Sequence, residues 1–250
     1  MFLSVENIKL SYQTIQGETQ AINDVSFSVK KGQFVSIIGP SGCGKSTLLS
    51  CVAGLTEPTS GRILLKGSKL EGISDDIGYM LQSDNLLPWR TIYKNVLLGL
   101  EIQGKLKNEN IAYAEELLKK YDLWEFRNSY PQSLSGGMRQ RVSLIRTLAV
   151  KPSLLLLDEA FSALDYQTRV NVSKDVYNIL RRENKTMIMV THDIPEAVAM
   201  SDKIVVLSHR PSEVQKEIRI NFDENRDPVS VRSDSRFREY FDIVWKEMTK

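Results

Sequence analysis

The densest chemistry in the chain lies in the run Gly39-Pro40-Ser41-Gly42-Cys43-Gly44-Lys45-Ser46-Thr47. Glycines at this spacing let backbone N–H groups approach and wrap phosphate oxygens. Lys45 would then reach the β- and γ-phosphates of a nucleoside triphosphate, and Ser46 would hold Mg²⁺. Average residue frequencies give such a set of fixed positions a chance occurrence on the order of 1% in a chain this long, so an incidental glycine-rich turn is the weaker alternative. Cys43 stands among these amides and close to Lys45, surroundings expected to favour its thiolate.

A second centre is Leu154-Leu155-Leu156-Leu157-Asp158-Glu159, an apolar strand that ends in two acids. Strand ends are where a phosphate loop also sits in an α/β sheet. Asp158 suits Mg²⁺ there, and Glu159 suits polarising the attacking water. Alone, the run reads as a core strand with a solvated acidic pair; beside a phosphate loop the functional reading ranks first. His192, in Thr191-His192-Asp193, follows the apolar strand 185–190 and falls where a γ-phosphate contact is needed.

Positioning these groups requires a covered, mainly parallel sheet. Phe34 to Ile38 forms a short buried strand that runs into the phosphate loop, and Thr47 to Ala53 can begin a helix whose positive end faces the anion. The chain is β-rich up to about Gly67, with Phe27 and Val29 alternating and a strand expected at Gly61 to Lys66. From Ser83 to Tyr130 the period becomes helical, with Ile111, Ala114, Leu117, Leu118 and Tyr121 on one face. Strands return at Leu154–Leu157, Met187–Val190 and Ile204–Leu207, separated by a helix burying Val172, Val176, Ile179 and Leu180. The tail reads as a strand at Glu217–Phe222 and a helix with Phe237, Phe241, Val244, Trp245 and Met248 at helical spacing.

Composition narrows the class. Hydrophobic residues make up 42% and charged residues 26%, near the globular average. A chain this long buries roughly three quarters of its unfolded surface, so the core needs no staple. The 33 basic and 31 acidic residues nearly cancel, with no basic run of the kind nucleic-acid binders show. No apolar stretch approaches the roughly 20 residues that span a bilayer, and Glu6, Asn7 and Lys9 interrupt the first ten. The two cysteines, Cys43 and Cys51, have no reason to pair, which points to a reducing cytoplasm.

Leu134-Ser135-Gly136-Gly137-Met138-Arg139-Gln140-Arg141 resembles the signature motif of the ATP-binding cassette transporter family. Ser135 and the two glycines would open a helix burying Val142, Ile145 and Leu148, a terminus that attracts anions or is simply well capped. The family's other marks follow in its order: Tyr12 before the phosphate loop, Gln82 after it, Ala163-Leu164-Asp165 after Glu159, then His192. The resemblance spans about Leu3 to Leu207. Two departures are Met138, where the commonest signature has Gln, and Ala160-Phe161-Ser162, where Pro-Phe-Gly is frequent.

The resemblance implies a fold, α/β, with a P-loop NTPase (RecA-like) core, an antiparallel β subdomain and an inserted α-helical subdomain. It divides the chain into a cassette, 1–215, with its helical insert at about 83–150, and a strand–helix tail, 216–250. It also implies ATP and Mg²⁺ as ligands, with Tyr12 against adenine, Gln82 on the metal and as a γ-phosphate sensor, and Ser135, Gly136, Gly137 and Asp165 contributing to sites shared between two copies of the chain. Transmembrane permease subunits and, indirectly, an extracytoplasmic solute-binding protein complete the expected assembly at the cytoplasmic face of a bacterial-type membrane. No nucleic acid is expected.

Gln82-Ser-Asp-Asn-Leu86-Leu87-Pro88-Trp89-Arg90 and the tail from His209 are similar to the nitrate, sulfonate and taurine importers, features shared by related importers of bicarbonate, pyrimidine vitamin precursors and aromatic acids. Because Leu86 to Trp89 has neither strand alternation nor helical spacing, it reads as a partner-docking segment, with Trp89 as a plug of the helical insert the alternative. A soluble DNA-repair or translation cassette would carry a coiled-coil insertion or a second cassette, and a small-molecule kinase has no use for Ser135 to Gly137.

Overall fold

The computed structural model describes residues 1–14, 17–223 and 226–250. Among the described residues, ten strands form one sheet in the order β5-β4-β1-β2-β10-β9-β3-β8-β7-β6. One wing is antiparallel: β1 (Leu3–Thr14), β2 (Gly17–Val29), β4 (Ser60–Leu65) and β5 (Ser68–Lys69). The other is parallel: β3 (Phe34–Ile38), β6 (Ile77–Met80), β7 (Leu154–Asp158), β8 (Thr186–Val190) and β9 (Lys203–Leu207). The two wings join through β10 (Ser212–Arg219), which pairs parallel with β2 and antiparallel with β9. The expected tail strand is thus longer towards its start, ends before Ile220, and crosses the 215/216 division.

The continuous apolar runs of the central strands follow from burial on both faces. Alternate residues serve different cores: Leu155, Leu157, Met187 and Met189 face the helices, while Leu154, Leu156, Ile188 and Val190 face the antiparallel wing and α1 (Lys45–Val52). The first core is completed by α2 (Ile92–Ile102), α3 (Asn108–Lys120), α4 (Gly136–Ala149) and α5 (Tyr166–Arg182). Thus the helices between 83 and 150 share one core with the sheet. The residues 83–91 are not helical, however; α2 starts at Ile92, with Thr91 capping it through a bond from Lys94 N.

Over the middle of the sheet, α6 (Ile194–Met200) and α7 (Ser235–Met248) cover β9 and β10 and bury Ile204, Val206, Ile218 and Val244. Phe237, Phe241 and Met248 pack there as the period anticipated, but Trp245 does not: it is 56% exposed, stacked on Phe241.

Candidate functional site

Strand register brings the chemistry together. Ile37 pairs with Val190, and Val190 pairs with Asp158 on its other side, so three neighbouring strands end at one level. The phosphate loop, the Asp158-Glu159 pair and Thr191-His192 therefore leave the sheet side by side. An open cleft of about 580 Å³ lies between the 41–47 loop, Glu159 and His192.

Within the loop, Gly44 caps α1 at φ 106°, a left-handed conformation that favours glycine, and no side chain caps the helix by a hydrogen bond. Gly39 answers a different constraint, since a Cβ there would stand 2.9 Å from the Leu207 carbonyl oxygen. The nearly buried Lys45 Nζ donates to the carbonyl oxygens of Gly39 and Pro40, both at 2.9 Å, which fixes the ammonium under the loop. Ser46 Oγ donates to Asp158 Oδ1 at 2.9 Å, and Tyr79 OH to Oδ2 at 3.1 Å. Burial and the neighbouring Asp158 charge push the Tyr79 phenol up to about 12, so it remains a donor to that carboxylate.

Glu159 occupies a left-handed backbone conformation, φ 46°, held by its N–H bond to the Val190 carbonyl. Its Oε2 lies 3.2 Å from His192 Nδ1. Gln82 Nε2 donates to Ser162 Oγ at 3.2 Å, and that hydroxyl donates to the Glu159 carbonyl at 2.9 Å. Gln82 is thereby tied to the turn after Glu159, outside the lining of the cleft. Tyr12, 43% exposed, sets its hydroxyl 3.4 Å from Thr47 Oγ1, beside the start of α1.

The residues Ser135, Gly136 and Gly137 stand apart from this cleft. Ser135 caps α4 by accepting from Met138 N, and Asp165 caps α5 by accepting from Thr168 N; the Thr168 hydroxyl, together with that backbone N–H, draws the Asp165 carboxyl below its ordinary value. A Cβ on Gly137 would meet Val172 at 3.0 Å, so its glycine lets α4 approach α5.

Cys43 departs from expectation. Its side chain is buried in the core rather than turned to the phosphate side, and burial outweighs the Lys45 charge, raising the thiol above its ordinary value. Cys51 is likewise free and buried, pushed up to about 11.

Several residues that shape the site were not singled out from the sequence. Tyr79 reaches Asp158 from β6 across the sheet, which no local pattern signals. Arg139 donates to Asp84 Oδ2 at 2.9 Å, and Arg146 to the carbonyls of Asp84 and Asn85, both at 2.7 Å. Their spacing of two helical turns on α4 was the available clue. The buried Asn95 accepts from Leu87 N and donates to the carbonyls of Leu87, Arg90 and Thr91. This clamp leaves Trp89 71% exposed, so the tryptophan does not plug the helical insert. Behind His192, Glu196 is enclosed by Thr191, Ser173, Asp193 and Arg169, and burial pushes its carboxyl up to about 7.

A mainly parallel sheet with a phosphate loop and acids at its strand ends defines a phosphate-loop nucleotide-binding protein. Residues 22–162 match the family model described as ABC transporter. The uncharacterized ABC transporter ATP-binding protein YtlC of Bacillus subtilis (strain 168) is 46% identical over 248 residues, 99% of this chain and 95% of the relative. The aliphatic sulfonates import ATP-binding protein SsuB of Bacillus thuringiensis subsp. konkukian (strain 97-27) is 39% identical over 230 residues, covering 92% and 90%. Among solved structures, the dimeric ATP-binding cassette MJ0796, in a post-hydrolysis state bound to ADP and Pi, superposes with a TM-score of 0.74 at 33% identity, over 89% of this chain and 100% of that one. The chain belongs to the ABC transporter family and is an ATP-binding subunit that hydrolyses ATP. Among the described residues, no helix is long and apolar enough to cross a membrane.

Two expectations follow. A reagent for exposed thiols should leave both cysteines unmodified at neutral pH until the chain is unfolded; ready labelling of the folded protein at Cys43 would contradict its inward orientation. Glu196 should impose a pH dependence on stability. Unfolding returns its carboxyl from about 7 to its ordinary 4.5, so between those values the native state holds a proton the unfolded chain releases. The group's contribution is therefore full below pH 4.5 and is lost as pH rises through about 7. Thermal unfolding followed across about pH 5 to 8 should show this decline in the native protein and lose it in Glu196→Gln.

Proposed function

We propose that two copies of this chain close on ATP and power uptake of a small oxyanion-bearing solute, of the sulfonate, taurine or nitrate type, through membrane permease subunits. The single observation that carries the hydrolytic part is the common level at which Lys45, the Ser46–Asp158 pair and the Glu159–His192 pair leave the sheet. The solute class rests on the 39% identity to an aliphatic sulfonates import protein and on the Gln82 to Arg90 segment. The dimer rests on the 33% identical cassette solved as a dimer.

In this reading, the amides of residues 41–47 and the Lys45 ammonium bind the β- and γ-phosphates, and Tyr12 stacks on adenine. The hydroxyl of Ser46 and the carboxylate of Asp158 are hard oxygen donors side by side, which suits Mg²⁺ completed by phosphate oxygens and water. Gln82 would have to leave its bond to Ser162 to reach the same metal. Mg²⁺, when bound, neutralises charge between the β- and γ-phosphates. Glu159 accepts a proton from the attacking water, and His192 holds the γ-phosphate side of the cleft. Ser135, Gly136, Gly137 and Asp165 complete the site of the second copy, which explains their distance from the cleft of their own chain. Peripheral attachment at the cytoplasmic face of the membrane follows from the permease partners, which take their solute from an extracytoplasmic binding protein.

Lys45→Ala should lose most nucleotide affinity. Glu159→Gln should keep it while hydrolysis falls by about 10²–10⁴-fold, the usual cost of a lost general base. With ATP, Glu159→Gln should accumulate as a dimer by light scattering. Equal binding defects in both variants, or a monomer at saturating ATP, would refute the two-site assignment.

Trp89, held out by the Asn95 clamp, is assigned to docking against a permease subunit. Trp89→Ala should stay within about 0.5 kcal/mol of native stability, as expected for an exposed side chain. Basal hydrolysis should persist, while binding to the permease weakens by roughly 2 kcal/mol or more, the loss typical of an aromatic anchor. Native-like solute-stimulated turnover in reconstituted Trp89→Ala would overturn the docking role.

A further inference from the structure

Arg169 lies in the first turn of α5, between two loops that carry the proposed hydrolytic residues. One arm of its guanidinium, Nη2, donates to the carbonyls of Ser162 at 3.3 Å and Leu164 at 3.0 Å. The other arm, Nη1, donates to Asp193 Oδ2 at 3.3 Å. Both partners of the ion pair are mostly withdrawn from water, at 23% and 21% exposure.

Each end of this bridge is rigidly connected to chemistry. Ser162 receives Gln82 Nε2 at 3.2 Å and bonds back to the Glu159 carbonyl at 2.9 Å. Asp193 follows His192 directly; its other oxygen caps α6 by accepting from Glu196 N at 2.9 Å, and its own N–H donates to Thr191 Oγ1 at 3.0 Å. Neither loop can move relative to the other without breaking one arm of the guanidinium. The hydrogen bonds of Arg169 do not extend to the 39–47 loop, which is tied to the sheet by the separate Ser46–Asp158 bond.

We propose that Arg169 is a positioning residue for hydrolysis: it fixes the turn bearing Glu159, and Gln82 through Ser162, at a set separation from the loop bearing His192. This rests on the assignment of Glu159 and His192 above. A planar fork with donors on two arms can span the two loops, whereas the single ammonium of a lysine keeps the charge towards Asp193 but cannot hold both ends. The brace would act on the rate of the chemical step and leave ATP binding alone.

The test uses the full chain, with kcat and KM for ATP hydrolysis, equilibrium binding of a non-hydrolysable ATP analogue, and thermal unfolding. Arg169→Met should lower kcat by about 10²-fold, the scale expected when catalytic groups are misplaced by an ångström, with analogue affinity unchanged. Arg169→Lys should recover part of that loss. Asp193→Asn, which retains a capping side chain, should also lower kcat, and the double variant Asp193→Asn/Arg169→Met should be no worse than Arg169→Met, because the two act through one contact. An unchanged kcat in Arg169→Met, equal losses in kcat and analogue affinity, fully additive effects in the double variant, or a loss accounted for by the unfolded fraction would each overturn the brace. Glu159→Gln serves as the reference. If it is inactive while Arg169→Met is native-like, only the brace fails; if Glu159→Gln itself hydrolyses ATP normally, the assignment of the site fails.

Discussion

Val190 sits on a rung between Ile37 and Asp158, and that rung sets the height at which three loops leave the sheet. A slip of one residue in either pairing would turn every side chain of a strand to the opposite face and carry one set of reactive groups out of reach of the others. The double-sided core resists such a slip, because alternate residues of β7 and β8 are committed to different hydrophobic clusters. Reactivity in this chain thus depends on strand register first and on individual side chains second.

Contiguous chemistry was legible in the sequence. The 39–47 loop, the acids after the Leu154 run and the Ser135 cap all depend on neighbours within a few residues, and local geometry carries them into the fold unchanged. The central strands were legible because burial on both faces leaves only apolar residues. Direction of a side chain out of a loop was not: Cys43 has phosphate-loop neighbours on both sides, yet it turns into the core. Trp245 shows the limit of periodicity, since helical spacing describes a face without saying how wide the covered part is. Tyr79 and Arg169 act through contacts with residues 79 and 24 positions away, and nothing adjacent to them marks that role.

The segment after Gln82 is bound to the helix that begins at the signature. Arg139 and Arg146 hold residues 84 and 85 from α4, and Arg139 also donates to the Leu134 carbonyl, just before Ser135. Three of these bonds end on carbonyl oxygens, so they constrain backbone rather than flexible side chains. The two residues that follow shortly after Gln82 are therefore tied to α4 through their backbone as well as through the Asp84 side chain. On the other side of the same segment, Asn95 holds the backbone around Trp89, so the exposed indole and the signature terminus share one rigid support.

The strand that joins the two wings bears on how far the chain can be shortened. β10 lends Ser212 and Glu213 to the antiparallel wing, and Val214 and Lys216 to Arg219 to the parallel one. A chain cut after residue 215 would keep the first attachment and only the Val214–Leu207 pair of the second, leaving the rest of β9 as a bare edge with its ladder groups open to any passing strand. Ile218, Ile220 and Val244 would leave the third core with it. The last 35 residues of the 250 are accordingly no detachable appendix: they supply most of the β9 side of the seam, and a shortened cassette would be open to edge-to-edge association.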